Sequence, residues 1–378
     1  MLWPINQVLV IFLRGRVKPN SVLHVCYPVH IVHYTVELLR AEGFNADYLA
    51  LGDSTDWTLC DYRLRRWKKW IPLTLTEFWY FWRVLAKYQT VQFHFMTGIS
   101  QSGWEWPILK RLGRKIVVYY SGCETRDSAL NKQFHPDFNI CEECDYNAVL
   151  CDGAVNQLRR KLAQRYADLE LVTTPDMKDF VPHAIHFPFF APPAQIVPSR
   201  TRPHWPANGL FRVVHATNHP GIEGTGQIAE AIQRLAGKGL PIEFRHLYRT
   251  PYRQVLQEFA DADLSIGKMK MGYYANAQIE AICCGTPTLT WVRPDLIDDA
   301  VRESGVVLCD MESIEDVVGT LMSNPDRLQL LQQEGPERIR AIHDNGLLAR
   351  RLIAMYQALQ AGENTRTMAR FDGLRVDQ

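Results

Sequence analysis

The stretch Lys268–Pro287, KMKMGYYANAQIEAICCGTP, reads as strand, loop, helix, turn and strand. Leu264, Ile266 and Met269 close a short apolar run, and Gly272-Tyr273-Tyr274 breaks it. Ala275–Cys284 is built of good helix formers, with Ile279 and Ile282 on one stripe. Gly285 supplies a left-handed stop, and Pro287 prevents continuation. Thr286–Val292 is then a β-branched run suited to a buried parallel strand. Glu280 stands among apolar helix neighbours, where a carboxylate costs free energy unless something pairs with it. It is either an exposed glutamate on an ordinary α/β helix or a group reserved for a ligand.

Outward from this stretch, 378 residues are too many for one ordinary core and suit two domains. A hydrophobic content of 47% with 22% charged residues marks a globular chain. The net charge of +1 gives no global attraction to nucleic acid, so no nucleic-acid partner is expected. No apolar run is long enough for a transmembrane helix. The start, LWPINQVLVIFL, has no cation before it and RGR after it, the reverse of a secretory signal. A cytoplasmic protein is therefore expected.

Strands alternate with helices along the first half. Ser21–Tyr27, Asn45–Gly52, Thr90–Phe95, Lys115–Tyr120 and Leu169–Thr174 read as strands, and Val29–Glu42 as a helix. That alternation implies a parallel, doubly wound sheet, with ligands beyond the strands' carboxyl ends, where His94, Gly98 and the Ser121–Arg126 turn project. A proline-rich linker over 191–209 separates residues 1–190 from a second unit, 210–345, and a helix and tail over 346–378 follow. In the second unit, strands at Phe211–Thr217 and Ile242–Tyr248 alternate with helices at Gly224–Leu235 and Tyr252–Ala262.

With those elements in place, IEAICCGTPTLT resembles a segment of the two-Rossmann-domain (GT-B) retaining glycosyltransferases, family 4 in particular. That segment carries two glutamates with seven residues between them and ends EAMACGTPV. The resemblance extends unevenly over most of the chain. It implies two Rossmann-like domains facing a cleft, with Glu280 on the donor nucleotide's ribose; the first glutamate's place is held by Gly272. VVHATNHPGIEGT matches the place where the family writes a basic residue and then a lysine before Gly-Thr, cations that hold the donor diphosphate. Here those places read Pro220 and Glu223. The amides at Gly224-Thr225, with Lys268 and Lys270, are the expected replacements, and Asn276 opens the Glu280 helix on the nucleotide side. In the first half, GCETR resembles the family's HG-x-D-x-R turn, with Glu124 in the acidic place and Arg126 in the basic one. Glu124, Arg126 and His94 are the expected catalytic and acceptor-side residues. A buried Glu124–Arg126 pair and a core histidine are the bland alternatives.

Nine cysteines are an odd number, and five of them (Cys26, Cys60, Cys283, Cys284, Cys309) lie in or near apolar runs, as free thiols do in a reducing compartment. Cys123, Cys141, Cys144 and Cys151 form a C…C-x-x-C…C pattern that suits either a structural zinc site or reduced thiols, with His135 as a substitute ligand. Residues 62–88 concentrate Trp67, Trp70, Trp79 and Trp82 among cations, the composition of an interfacial helix or of an aromatic helix docked on the sheet.

The expected function is transfer of a sugar from a nucleotide-sugar to a saccharide or lipid-linked acceptor, as in bacterial surface-polysaccharide synthesis. No metal or other cofactor is required for the chemistry, and peripheral contact at the inner membrane face is expected. The rival readings are a sugar-nucleotide epimerase on the same fold and a non-catalytic scaffold of the same shape.

Overall fold

The computed structural model describes residues 17–52, 59–65, 72–95, 97–134, 140–146, 153–363 and 365–373. The apolar start, Trp67, Trp70, His135 and Cys151 lie outside the described residues. Two parallel sheets organise the chain. The first is seven-stranded, from β1 (Lys18–Cys26), β2 (Asn45–Leu51), β3 (Tyr62–Leu64), β4 (Tyr88–His94), β5 (Lys115–Tyr120), β6 (Leu169–Val172) and β7 (Ile185–His186), in the order β3-β2-β1-β4-β5-β6-β7. The second holds β8 (Phe211–Ala216), β9 (Ile242–Leu247), β10 (Leu264–Ile266), β11 (Thr288–Thr290) and β12 (Val306–Leu308), in the order β12-β11-β10-β8-β9. In each sheet the strand order reverses once, beside β1 and beside β8. Such switch points open a crevice at the strands' carboxyl ends.

Alternation along the strands decides which core each residue joins. On β5, Ile116, Val118 and Tyr120 enter one buried cluster with Phe81 and Trp106. Val117 and Tyr119 enter another with Val36 and Leu39. Both faces are covered, which is why these strands read as near-continuous apolar runs. On one face of the second sheet, Val213, Leu264 and Leu289 pack against Ile228 and Ile232 of the helix Thr225–Gly237 and Val318 of the helix Ile314–Ser323.

The last long helix and the linker are tied down by specific polar contacts. The helix Asn345–Gln360 returns to the first domain, burying Leu352, Met355 and Tyr356 there. Its Tyr356 hydroxyl donates to Gln92 Oε1 at 2.6 Å. The linker straps the second domain through Arg200, whose guanidinium lies 2.5 Å from Asp263, and through Trp205, whose indole donates to Met322 O at 2.9 Å. Among the described residues, no helix is long and apolar enough to cross a membrane.

The tryptophan-rich segment divides. Tyr62–Leu64 is an edge strand, and Leu73–Arg83 is a helix that buries Phe81 and exposes Leu73, Leu75 and Trp79.

Candidate active site

The helix carrying Glu280 runs from Asn276 to Cys283. Gln278 Oε1 accepts from the Ala275 amide at 2.8 Å, closing its start. At its end Gly285 takes φ +82°, with its amide on Ile282 O and the Thr286 amide on Ala281 O. This pair of bonds satisfies the last carbonyls and turns the chain directly into β11. Glu280 is buried, not exposed. Its Oε1 accepts from Asn276 Nδ2 at 2.5 Å and lies 3.4 Å from His30 Nε2 of the first domain. The His30 ring stacks on Tyr252 with centroids 3.6 Å apart. Burial and the nearby Glu280 charge push the Tyr252 phenol well above its ordinary pKa. Glu280 thus sits where the two domains meet.

The second element is the loop after β8. Gly224 has φ +85°, the left-handed conformation that favours glycine, and a Cβ there would lie 2.5 Å from the end of the Met311 side chain. His215 Nδ1 lies 2.7 Å from Ile266 O and must donate, which leaves Nε2 to accept from the Thr225 hydroxyl at 2.9 Å. Burial, which lowers the His215 pKa to about 4, keeps this neutral tautomer in place. The Thr225 hydroxyl is therefore committed, leaving its backbone amide in the helix's first turn. Lys268 Nζ stands 4.0 Å from the buried Glu223 carboxylate. Lys270 Nζ stands 2.5 Å from Glu143 Oε2. The Glu223 pKa is raised by desolvation and held back by Lys268.

On the first-domain side, Glu124 Oε1 accepts from the Ser121 amide at 2.5 Å and the Gly122 amide at 3.1 Å. Desolvation raises its pKa, and those bonds oppose the rise. Glu124 also lines a cavity of about 490 Å³, with Tyr27, Leu73, Glu77, Phe95 and Arg159. The expected alternative pair, Glu124–Arg126, is not the one that forms. Arg126 pairs with Asp176, both buried, and its Nη1 lies 3.8 Å from Cys123 Sγ. His94 is in the sheet core: its Nε2 lies 2.9 Å from His24 Nδ1 and 3.2 Å from Gln92 Nε2, and burial holds its pKa well below the ordinary value. A neutral ring enclosed by its neighbours on β1 and β4 braces those strands and does not reach the cleft.

Gly272 has φ +86° and faces Trp291, Arg293 and Asp176. Arg293 beside it reaches across to Asp179 at 2.5 Å. Among the described residues, no three His, Cys, Asp or Glu side chains gather as a metal site would need. Sequence reasoning passed over Tyr252, Asp176, Glu143 and Asp145. The only signal for the last two was the acidic run inside CEECD, which was read for its thiols.

No protein-family model matches the chain, and no curated protein matches its sequence. Solved structures do match its shape. Sucrose-phosphate synthase from Thermosynechococcus elongatus shares 13% identity, covers 91% of this chain and 100% of its own, and superposes with a TM-score of 0.63. Anabaena HepE in complex with UDP-glucose shares 11% identity over 90% of this chain and 99% of its own, with a TM-score of 0.56. The catalytic domain of starch synthase IV from Arabidopsis thaliana, bound to ADP and acarbose, shares 10% over 91% and 100%, also at 0.56. The chain has the fold of these GT-B glycosyltransferases: two Rossmann-like domains facing a cleft.

Proposed function

We propose that this chain is a glycosyltransferase that moves a sugar from a nucleotide-sugar to a saccharide or lipid-linked acceptor, retaining the anomeric configuration, in a surface-polysaccharide or glycoconjugate pathway. The observation that carries the reading is Glu280, a buried carboxylate at the domain junction, oriented by Asn276 and facing His30. Opening of the cleft frees that carboxylate to accept from ribose hydroxyls. The first-turn amides after Gly224, with Lys268 and Lys270, receive the diphosphate. The 490 Å³ cavity beside Glu124 receives the acceptor, its mixed apolar and charged lining suiting a sugar attached to an apolar carrier. Positioning and electrostatic stabilisation of the departing diphosphate supply the catalysis, with no metal needed for the chemistry. Two of the solved structures of this shape hold UDP-glucose or ADP, in support of a nucleotide donor.

The test is release of nucleoside diphosphate from a panel of nucleotide-sugars. Release that requires a saccharide or lipid-linked acceptor supports transfer. Sugar interconversion without acceptor would make the chain an epimerase, and nucleotide binding without turnover would make it a scaffold.

Two finer parts of the proposal have their own checks. Contact with the inner membrane face would run through the exposed Leu73, Leu75 and Trp79. Anionic vesicles should sediment the protein at low salt, and Trp79→Ala should weaken that binding without unfolding it. No sedimentation of folded protein would remove the membrane role. A structural zinc on Cys123, Cys141, Cys144 and Cys151 should appear as about one equivalent of metal lost in Cys141→Ser. Metal-free protein purified without chelator would remove the zinc.

A further inference from the structure

We propose that the acidic segment Cys141–Tyr146, CEECDY, is a built-in occupant of the donor-phosphate position, which a nucleotide must displace in order to bind. The inference rests on the donor reading of Lys270 given above. The segment belongs to the first domain, yet its side chains are seated on the second. The Asp145 carboxylate accepts from the Gly221 amide at 3.0 and 3.2 Å and from the Ile222 amide at 3.3 Å. Glu143 places one oxygen 2.5 Å from Lys270 Nζ and the other 3.5 Å from Gln227 Nε2. The Tyr146 hydroxyl lies 2.5 Å from His219 Nε2, with the two rings 4.2 Å apart. Backbone meets backbone as well: a Cβ on Gly221 would lie 2.0 Å from Glu143 O.

Asp145 rests on the Gly221 and Ile222 amides, in the turn that precedes Gly224, and Glu143 rests on Lys270. The pair thus puts negative charge and acceptor oxygens where a diphosphate held by Lys270 would bring its own. The two cannot be held there together, because Lys270 would have to serve both and the carboxylates would repel the phosphates. Binding of the donor therefore requires the segment to leave. The apparent affinity for nucleotide is then the intrinsic affinity reduced by the fraction of molecules whose segment is displaced.

The experiment is a calorimetric titration of the full chain with UDP and with ADP, using native protein, the Glu143→Gln/Asp145→Asn double variant and Glu280→Ala. If the segment is seated in about nine molecules of ten, the double variant should bind about tenfold more tightly than native protein, while Glu280→Ala binds more weakly. Equal or weaker binding by the double variant, with Glu280→Ala still impaired, would overturn the displacement and leave the donor site standing. Binding by none of the three proteins would overturn both. Hydrogen exchange of native protein supplies a second readout that does not depend on the variants folding. Deuterium uptake over 140–146 should rise when the nucleotide is added, and unchanged or lowered uptake there would contradict the proposal.

Discussion

The two walls of the cleft dispose of their charges differently. On the second-domain wall three charged groups reach across to the other domain, Glu280 to His30, Lys270 to Glu143 and Arg293 to Asp179, while Lys268 stays beside Glu223 of its own domain. On the first-domain wall they close on themselves. Glu124 caps its own turn, Arg126 is spent on Asp176, and Arg159 stands 3.7 Å from Glu105. A charge paired across a cleft can exchange its partner for a ligand when the domains part. A charge paired within one wall cannot do so without leaving its partner buried and alone, which is the costlier state. The charges paired across the cleft thus suit binding, and those paired within the first domain suit holding the shape of the proposed acceptor cavity.

Breaking a pair on each wall separates these roles. Arg126→Ala should be the most damaging to stability, because it strands Asp176 in a buried position; the loss expected is about 3–5 kcal/mol in denaturant unfolding. A variant within about 1 kcal/mol of native stability would mean that the pair is dispensable and the contrast between the walls is false. Glu124→Gln should have a smaller, pH-dependent effect. The folded state keeps the Glu124 proton to higher pH than the unfolded state does. Stability contributed by that group is therefore lost as pH rises from the ordinary carboxylate range through the raised value. The slope is at most about 1.4 kcal/mol per pH unit. Glutamine cannot ionise, so the variant's stability should fall less steeply over that range. Parallel slopes for the two proteins would show that Glu124 is not held protonated by burial.

Local pattern carried the fold a long way. Lys115–Tyr120 is the strand expected from its apolar run, and the helix, glycine stop and strand after Ala275 form as their chemistry dictates. What could not be read were partners distant along the chain. His94 finds His24 and Arg126 finds Asp176, each far off in sequence, and nothing adjacent announces either pairing. Helix periodicity in 345–360 marks an apolar stripe but cannot say which core it enters, so the return of that helix to the first domain was not legible. Tyr62–Leu64 and Ile185–His186 are short edge strands with little burial pattern to reveal them. The cysteine-rich run drew attention to its thiols, although the contacts it makes across the cleft come from the carboxylates between and beside them.

Contact between Glu280 and the donor ribose is the centre of the proposed transfer. Hydrogen bonds to a charged group contribute roughly 1.5–3 kcal/mol, and each 1.4 kcal/mol is tenfold in affinity. Calorimetry with UDP and ADP should therefore show Glu280→Ala binding about ten- to a hundredfold more weakly than native protein, with Glu280→Gln between them. Glu258, on the preceding helix Tyr252–Asp261 and paired with Arg245 of β9, supplies the control: its substitution should change nucleotide affinity little. Equal affinity in native protein and folded Glu280→Ala would contradict the ribose role and, with it, the reading of this chain as an active transferase.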